Sequence, residues 1–523
     1  MWPAVEHRFV AVRRIRVLGV AVALALLAGS GLVGVAADAP PVTGGAVVDQ
    51  CHSVQGQVPA GGAQACRSVQ AQLWGASAAC RLSVSAAPAT LPEQCTVIDG
   101  RPVSEARIAA YQSTWVHRAL SLQRALAAGA PLLEELIPHT HNSFNTSRYD
   151  VPDPSNPSHF PTLTNQDPNQ VYSITDQLQM DVRAIEIDVH WVPSPWGPGY
   201  QVVACHGSSE PVGAGQNVHV GCTDDQPFSS TLRELRAWLD AHPGEFVLVY
   251  LENQLDGSTA GHERAGQLLA ANLGSLVYKP PADQPCAEMP VHTSAADILA
   301  SGAQVLLVGN CGAADGAATA WGQWMHSRGP TWDESGDPTG YGASQCAADL
   351  AERNGAEPRF RRYFEEVTWL GTMGDTAPPA TSAAGHVTPI TADATAQMVR
   401  CGVNIIGLDQ LTPEDPRLPA LVWSWAPGEP AAAGCAYQDG DSRFHLAACD
   451  SSAGPRHFAC VDPAGAWLET VATGTWDAGA ASCAAEFAGS TFGVPVNGWR
   501  NQELFAAKAA AGDEVWLNYS VTG

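Results

Sequence analysis

The chain has 523 residues, more than one ordinary domain holds, so two or three modules are expected. Hydrophobic residues make up 45% and include 16 Trp, enough for a large core, while 50 Gly and 38 Pro favour frequent turns over long helices. The formal net charge of −25 excludes nucleic acid as a partner, because a phosphate backbone needs basic patches, and any anionic substrate would need a bridging cation.

Residues 1–37 read as a signal peptide. Arg13, Arg14 and Arg16 precede the apolar run 17–28, and small residues around Ala36 and Ala37 suit signal peptidase. An uncleaved anchor is the alternative, since the apolar stretch runs on to Val35, but the Gly-Ser-Gly break at 29–31 favours cleavage. The twin arginines permit a Tat route as well as Sec. No other stretch is long and apolar enough to span a bilayer, so a secreted or envelope-associated protein is expected.

Fourteen cysteines in an exported chain imply disulfides. None forms a Cys-x-x-Cys pair, which disfavours zinc ribbons and redox sites. Cys51, Cys66, Cys80 and Cys95 fall in an N-terminal segment, 38–130, that ends in a helical pattern over 102–128. Cys205, Cys222, Cys286, Cys311, Cys346 and Cys401 fall in a central region, 131–430. Cys435, Cys449, Cys460 and Cys483 fall in a C-terminal module, 431–523. Even numbers in each group suggest three separately cross-linked modules.

The central region carries eight short apolar runs: 136–141, 183–192, 200–207, 245–253, 303–310, 365–371, 403–411 and 421–426. Helical segments separate several of them, notably 229–243 and 391–402. Runs this apolar suit strands buried on both faces of a parallel sheet, and eight of them predict a (β/α)8 TIM-type barrel. Polar residues cluster at the C-terminal ends of the runs, where such barrels place their chemistry: His141, Asn142, Glu186, Asp188, His206, Glu252 and Asp409. Glu186, Asp188 and His190 are spaced by two and share one strand face. Two carboxylates pointing into a barrel need a proton or a cation between them. Asn142, Glu186, Asp188 and Glu252 form an all-oxygen set that suits calcium before magnesium, and not zinc. His141 and His206 remain for proton transfer. In the bland alternative, the two acids simply pair with Arg183 or another base. A zinc site begun by His139 and His141 would need histidines on the fifth and sixth barrel strands, and the runs assigned to that region have none.

These residues resemble the phosphatidylinositol-specific phospholipase C-like phosphodiesterases, especially their calcium-dependent branch. THNSF (140–144) is similar to that family's first-strand motif, DQLQMDVRAIEIDVHW (176–191) to its second-strand block, CHG (205–207) to its second histidine and YLEN (250–253) to its last acidic ligand. The resemblance implies that Asn142, Glu186, Asp188 and Glu252 ligate calcium. It also implies that His141 stabilises phosphoryl charge and that His206 protonates the departing glycerol oxygen. An aspartate at 188, where calcium-independent relatives place arginine, favours the metal branch. The implied substrate is an inositol phospholipid, cleaved through a cyclic phosphate at a membrane surface. Few lysines are present, so polyphosphorylated headgroups fit poorly. Phosphatidylinositol, its glycan-linked forms or a glycerophosphodiester fit better.

Two other readings compete. Glycerophosphodiesterases and sphingomyelinase D-like barrels open with a His-Arg-Gly-type motif and carry Glu-Asn-Thr downstream, and neither motif occurs here. An inactive barrel serving as an adhesin would have no reason to keep both histidines and all four ligands. The C-terminal module vaguely resembles a C-type-lectin-like fold through TWDAGAASC (475–483) and EVWLNYS (514–520), without the sugar-binding signatures. It is expected to be a disulfide-stapled β-rich unit whose partner is not readable.

Overall fold

A computed structural model describes residues 105–146, 169–193, 199–206, 208–213, 216–220, 227–312, 314–334, 341–366 and 390–522. The expected signal peptide and the first four cysteines lie outside these residues.

The central strands are β1 (Ile137–Thr140), β2 (Ala184–Pro193), β3 (Tyr200–Ala204), β4 (Ser208–Gly213), β5 (Gln216–Val220), β6 (Val247–Gln254), β7 (Val305–Gly309), β8 (His326–Ser327), β9 (Trp332–Glu334), β10 (Phe360–Phe364) and β11 (Ile405–Leu408). The sheet order β8-β7-β6-β2-β1-β11-β10-β9 runs in chain sequence around a curled, all-parallel path, with β3 added on β2. The two ends of the path, β8 and β9, follow one another directly in the chain. This is a TIM-type barrel. Its strands read as they should for double burial: every residue of β7, VLLVG, is buried, and in β6 five buried residues precede the polar end.

Helices cover the strands: α1 (Glu105–Gln112), α2 (Trp115–Ala127), α3 (Ile174–Gln179), α4 (Phe228–Ala241), α5 (Thr259–Asn272), α6 (Ala295–Ala300), α7 (Ala343–Arg353) and α8 (Ala392–Arg400). In α4, Phe228, Leu232, Leu235 and Leu239 recur at helical spacing and are all buried. The expected N-terminal helix is two helices, because Thr114 caps the second by accepting from the His117 N–H at 3.3 Å.

Five of the eight apolar runs are barrel strands, and three expectations need correction. The run at 200–207 is β3, which pairs antiparallel with β2 and lies off the barrel path. The run at 421–426 forms no strand; Trp425 makes a single bridge to Phe444. Only Glu365 and Glu366 of the run at 365–371 are described, and they follow β10 rather than form it. The barrel is completed by β8 and β9, of two and three residues, and by β10, FRRYF. Strands that short show no periodicity, and two consecutive arginines hide the third.

The C-terminal strands β12 (Gly434–Gln438), β13 (Phe444–Ala447), β14 (His457–Val461), β15 (Trp467–Glu469), β16 (Thr491–Phe492) and β17 (Val515–Val521) form a six-stranded sheet. Two helices, α9 (Gly479–Glu486) and α10 (Gly498–Ala507), accompany it. Disulfides join Cys286–Cys311, Cys346–Cys401, Cys435–Cys449 and Cys460–Cys483, each within its own cysteine group. Cys205 is also disulfide-bonded. The hydrophobic core ignores these groups: Tyr111 and Leu120 of the N-terminal helices, the barrel strands, and Phe444 and Val515 of the module share one cluster.

Candidate active site

The site grows from the turn after β1. Asn142 sits at φ 44°, a left-handed conformation that Asn tolerates better than most residues. Hydroxyls pin the turn to its neighbours. Ser143 Oγ accepts from the Glu186 N–H at 2.9 Å, and Thr140 Oγ1 donates to Gln177 Oε1 of α3 at 2.6 Å. This anchoring accounts for the Thr and Ser that flank His141 and Asn142.

The neighbouring strands bring in the acids. Glu186 and Asp188 lie on one face of β2, both buried, and Asp188 is in register with Glu252 of β6. One oxygen from each of Glu186, Asp188 and Glu252 lies within 4.8 Å of the other two. The Asn142 N–H donates to Glu186 Oε2 at 3.3 Å. The side-chain oxygen of Asn142 faces the Asp188 carboxylate; turned over, its nitrogen would donate to the two oxygens at 3.1 and 3.2 Å. Burial raises the Glu186 and Asp188 carboxyls, Asp188 well above its usual range, and repulsion from Glu252 and Glu186 adds to the Asp188 shift. Three mutually close carboxylates with the Asn142 amide beside them make a donor set that fits a hard divalent cation. The base beside Glu186 is Arg362 of β10, whose Nη2 donates to Glu186 Oε2. Arg183 is engaged elsewhere, donating from Nε to Glu245 at 2.7 Å.

The two histidines arrive by different routes. His141 follows β1 directly, and its Nδ1 lies 3.3 Å from Asp409 Oδ1 at the end of β11. Asp409 is fixed in turn by Asn169 Nδ2, which donates to Oδ2 at 2.9 Å. His206 comes back on the antiparallel return: Ala204 pairs with Val189, and the Cys205 N–H donates to the Asp188 carbonyl at 3.3 Å. Glu366 stands between the rings, its Oε2 3.9 Å from Nε2 of each. Burial lowers the His141 ring, but Glu186, Asp409 and Glu366 outweigh it and raise the pKa to about 9. Burial dominates at His206 and lowers it to about 4. The surrounding acids thus favour the charged form of His141, whereas burial favours the neutral ring of His206.

All six expected residues therefore meet at the C-terminal rim. Sequence reasoning missed Asn169, Arg362 and Glu366. Arg362 and Glu366 flank the end of a strand that was misplaced, and Asn169 carries no spacing signal. His139 is buried with neither ring nitrogen hydrogen-bonded, and its Nε2 lies 3.9 Å from Glu186 Oε2. The fifth barrel strand, β8, does hold a histidine, His326, but its nitrogens face the Glu288 and Tyr278 carbonyls at 3.2 and 3.3 Å. It does not complete a zinc site with His139.

A TIM-type barrel with two histidines and an acidic oxygen cluster at its rim suits a phospholipase C-type phosphodiesterase, and the family match bears out that class. A family model described as the Rv2075c PI-PLC-like domain matches residues 99–415, and the chain belongs to that family. The uncharacterized protein Rv2075c of Mycobacterium tuberculosis strain H37Rv is 34% identical over 440 residues, covering 82% of this chain and 84% of that protein. Two solved structures are more distant. The phosphatidylinositol-specific phospholipase C of Listeria monocytogenes is 13% identical, with a TM-score of 0.35, over 58% of this chain and 98% of that one. A calcium-dependent phosphoinositol-specific phospholipase C from a Pseudomonas species is 14% identical, with a TM-score of 0.32, over 57% and 93%.

Proposed function

We propose that the chain is an exported, calcium-dependent phosphodiesterase that cleaves the glycerol–phosphate bond of an inositol phospholipid. The observation that carries this reading is the convergence of Asn142, Glu186, Asp188 and Glu252 beside His141 and His206. Those four residues would hold the calcium ion. When bound, calcium lowers the pKa of a substrate hydroxyl and neutralises charge on the phosphate.

The chain's own residues move the protons. Glu186 or Glu252 accepts the proton of the inositol 2-hydroxyl. The freed oxygen attacks phosphorus, and the bond from phosphorus to the glycerol oxygen breaks. His206 protonates that oxygen, giving diacylglycerol and a cyclic inositol phosphate. One proton leaves the hydroxyl and one reaches the leaving group, so the step balances. The anionic phosphodiester supplies the charge that loads His206 with its proton on binding. His141, oriented by Asp409, faces the phosphoryl oxygens with its other nitrogen.

Lysine poverty narrows the choice of headgroup. Lys279 stacks over Trp324 at 4.4 Å and β7 has no lysine, so unphosphorylated inositol lipids are favoured over polyphosphorylated ones. Export is supported by the disulfides and the N-terminal signal. Among the described residues no helix is long and apolar enough to cross a membrane, and contact with lipid would be peripheral. We assign catalysis to 131–430 and treat 431–523 as an accessory module.

The test is turnover of a headgroup panel after chelation. Phosphatidylinositol cleavage should vanish in chelator and return with calcium but not with zinc. Full activity in excess chelator would remove the metal from the reading. Cleavage of glycerophosphodiesters or sphingomyelin alone would favour the competing barrel families.

A further inference from the structure

Arg362 is the cation that the calcium reading leaves unexplained. It sits on β10, in register with Glu334 of β9, yet its side chain reaches Glu186 on β2, with β11 and β1 between them in the sheet. It is 1% exposed. Its Nη2 donates to Glu186 Oε2, and its Nη1 donates to Glu334 Oε1 at 2.8 Å. The guanidinium packs 4.6 Å from the Tyr250 ring centroid and 4.4 Å from that of Phe364. A buried arginine with both terminal nitrogens bonded, only Nε left without a partner, and two aromatic faces against it is a fixed charge, not a mobile substrate clamp.

The charge balance shows what it does. Glu186, Asp188 and Glu252 are three carboxylates in mutual reach, and they have to stay folded together whether or not a divalent ion is bound. We propose that Arg362 is a built-in counter-cation that keeps the ion-free site folded and holds its calcium affinity in a reversible range. This inference rests on the proposed calcium site. A permanent positive charge within one contact of a ligand repels an incoming divalent ion. The same charge offsets repulsion among the carboxylates when the ion is absent. Glu334 modulates the effect from the far side by neutralising part of the Arg362 charge.

The test needs no turnover. Calcium binding to the full chain is measured by calorimetry, and thermal unfolding is followed in chelator and in saturating calcium. Arg362→Met keeps the length and removes the charge. It should bind calcium at least tenfold tighter, melt lower in chelator and gain more from calcium than the parent. Arg362→Lys, which restores a charge, should fall back towards the parent in both readings. Glu334→Gln leaves Arg362 less neutralised and should bind calcium severalfold more weakly; it also serves as the test if Arg362→Met does not fold. A parent that takes up no calcium overturns the metal reading and this inference with it. A parent that binds calcium, with Arg362→Met unchanged or weaker, overturns the counter-cation alone and makes Arg362 a structural or phosphate-facing group. Unchanged affinity in Glu334→Gln counts against it in the same way.

Discussion

At the scale of single residues, the division of labour between the two histidines is open to a direct test. His206→Ala should slow natural substrates, which have a poor alkoxide leaving group, by about 10²–10⁴-fold, the usual range for general acid catalysis. A nitrophenyl phosphodiester needs no proton on departure and should suffer much less. His141→Ala should damage both substrates similarly, since phosphoryl charge develops whatever leaves. Equal leaving-group dependence in the two variants, at saturating calcium, would refute the assignment. A second residue-scale prediction concerns Glu135, at the opposite end of the barrel. It is buried beside a cavity of about 240 Å³, and its Oε2 has no hydrogen-bond partner. Burial raises its carboxyl from 4.5 to about 8. Between those values the folded chain keeps a proton that the unfolded chain has lost, so stability falls as pH rises. The slope is about 1.4 kcal/mol per pH unit for a fully shifted group, or about 3 kcal/mol by pH 7 as an upper figure. Glu135→Gln should flatten that decline in denaturant midpoints taken from pH 5 to pH 8. An unchanged slope would show that the carboxyl is already solvated in the folded state.

At the scale of elements, the strand pair β1–β11 supports the site and tolerates little change. His139 is in register with Gly407. A Cβ on Gly407 would stand 2.8 Å from His139 Nδ1 and 2.8 Å from Phe364 Cβ, closer than real contacts come. Gly407→Ala should therefore cost roughly 1–3 kcal/mol, the range for overpacking a filled core. His139→Ala in the same chain should recover part of it, and a double-mutant cycle measures how much. Strict additivity would mean that Phe364 alone sets the limit. The same pair explains why Asp409 can hold His141: β11 delivers one and β1 the other at matched heights.

At the scale of the whole molecule, the disulfides divide the chain while the packing unites it. Gln123 of α2 donates to the Leu421 carbonyl at 3.1 Å and accepts from the Trp423 N–H at 3.2 Å. Asn501 of α10 donates to the Trp423 carbonyl at 3.1 Å. Trp425 meets Phe444 of β13 edge to face at 5.7 Å between ring centroids. Barrel and module should thus unfold together in one calorimetric transition. Phe444→Ala should lower it as a unit, by about 3–5 kcal/mol for a fully buried aromatic. Two separate transitions in the parent would show that the shared core contributes little.

The barrel class was legible in the chain alone, and so were the six candidate residues that the fold gathers at its C-terminal rim. Those features rest on local patterns: apolar runs, polar strand ends, and the period of two that sets Glu186 and Asp188 on one face. It misjudged the strands that complete the barrel, because β8 and β9 are too short for any periodicity and Arg361 and Arg362 mask β10 as surface. Only the tertiary structure decided that His206 returns on an antiparallel strand beside Asp188, that Glu366 lies between the two rings, and that Arg362 reaches across the barrel to Glu186. Those contacts, Cys205 to Asp188 the shortest and His141 to Glu366 the longest, join residues 17 to 225 positions apart along the chain. A pairing at that distance follows from how the sheet closes, and no local pattern in the chain encodes it.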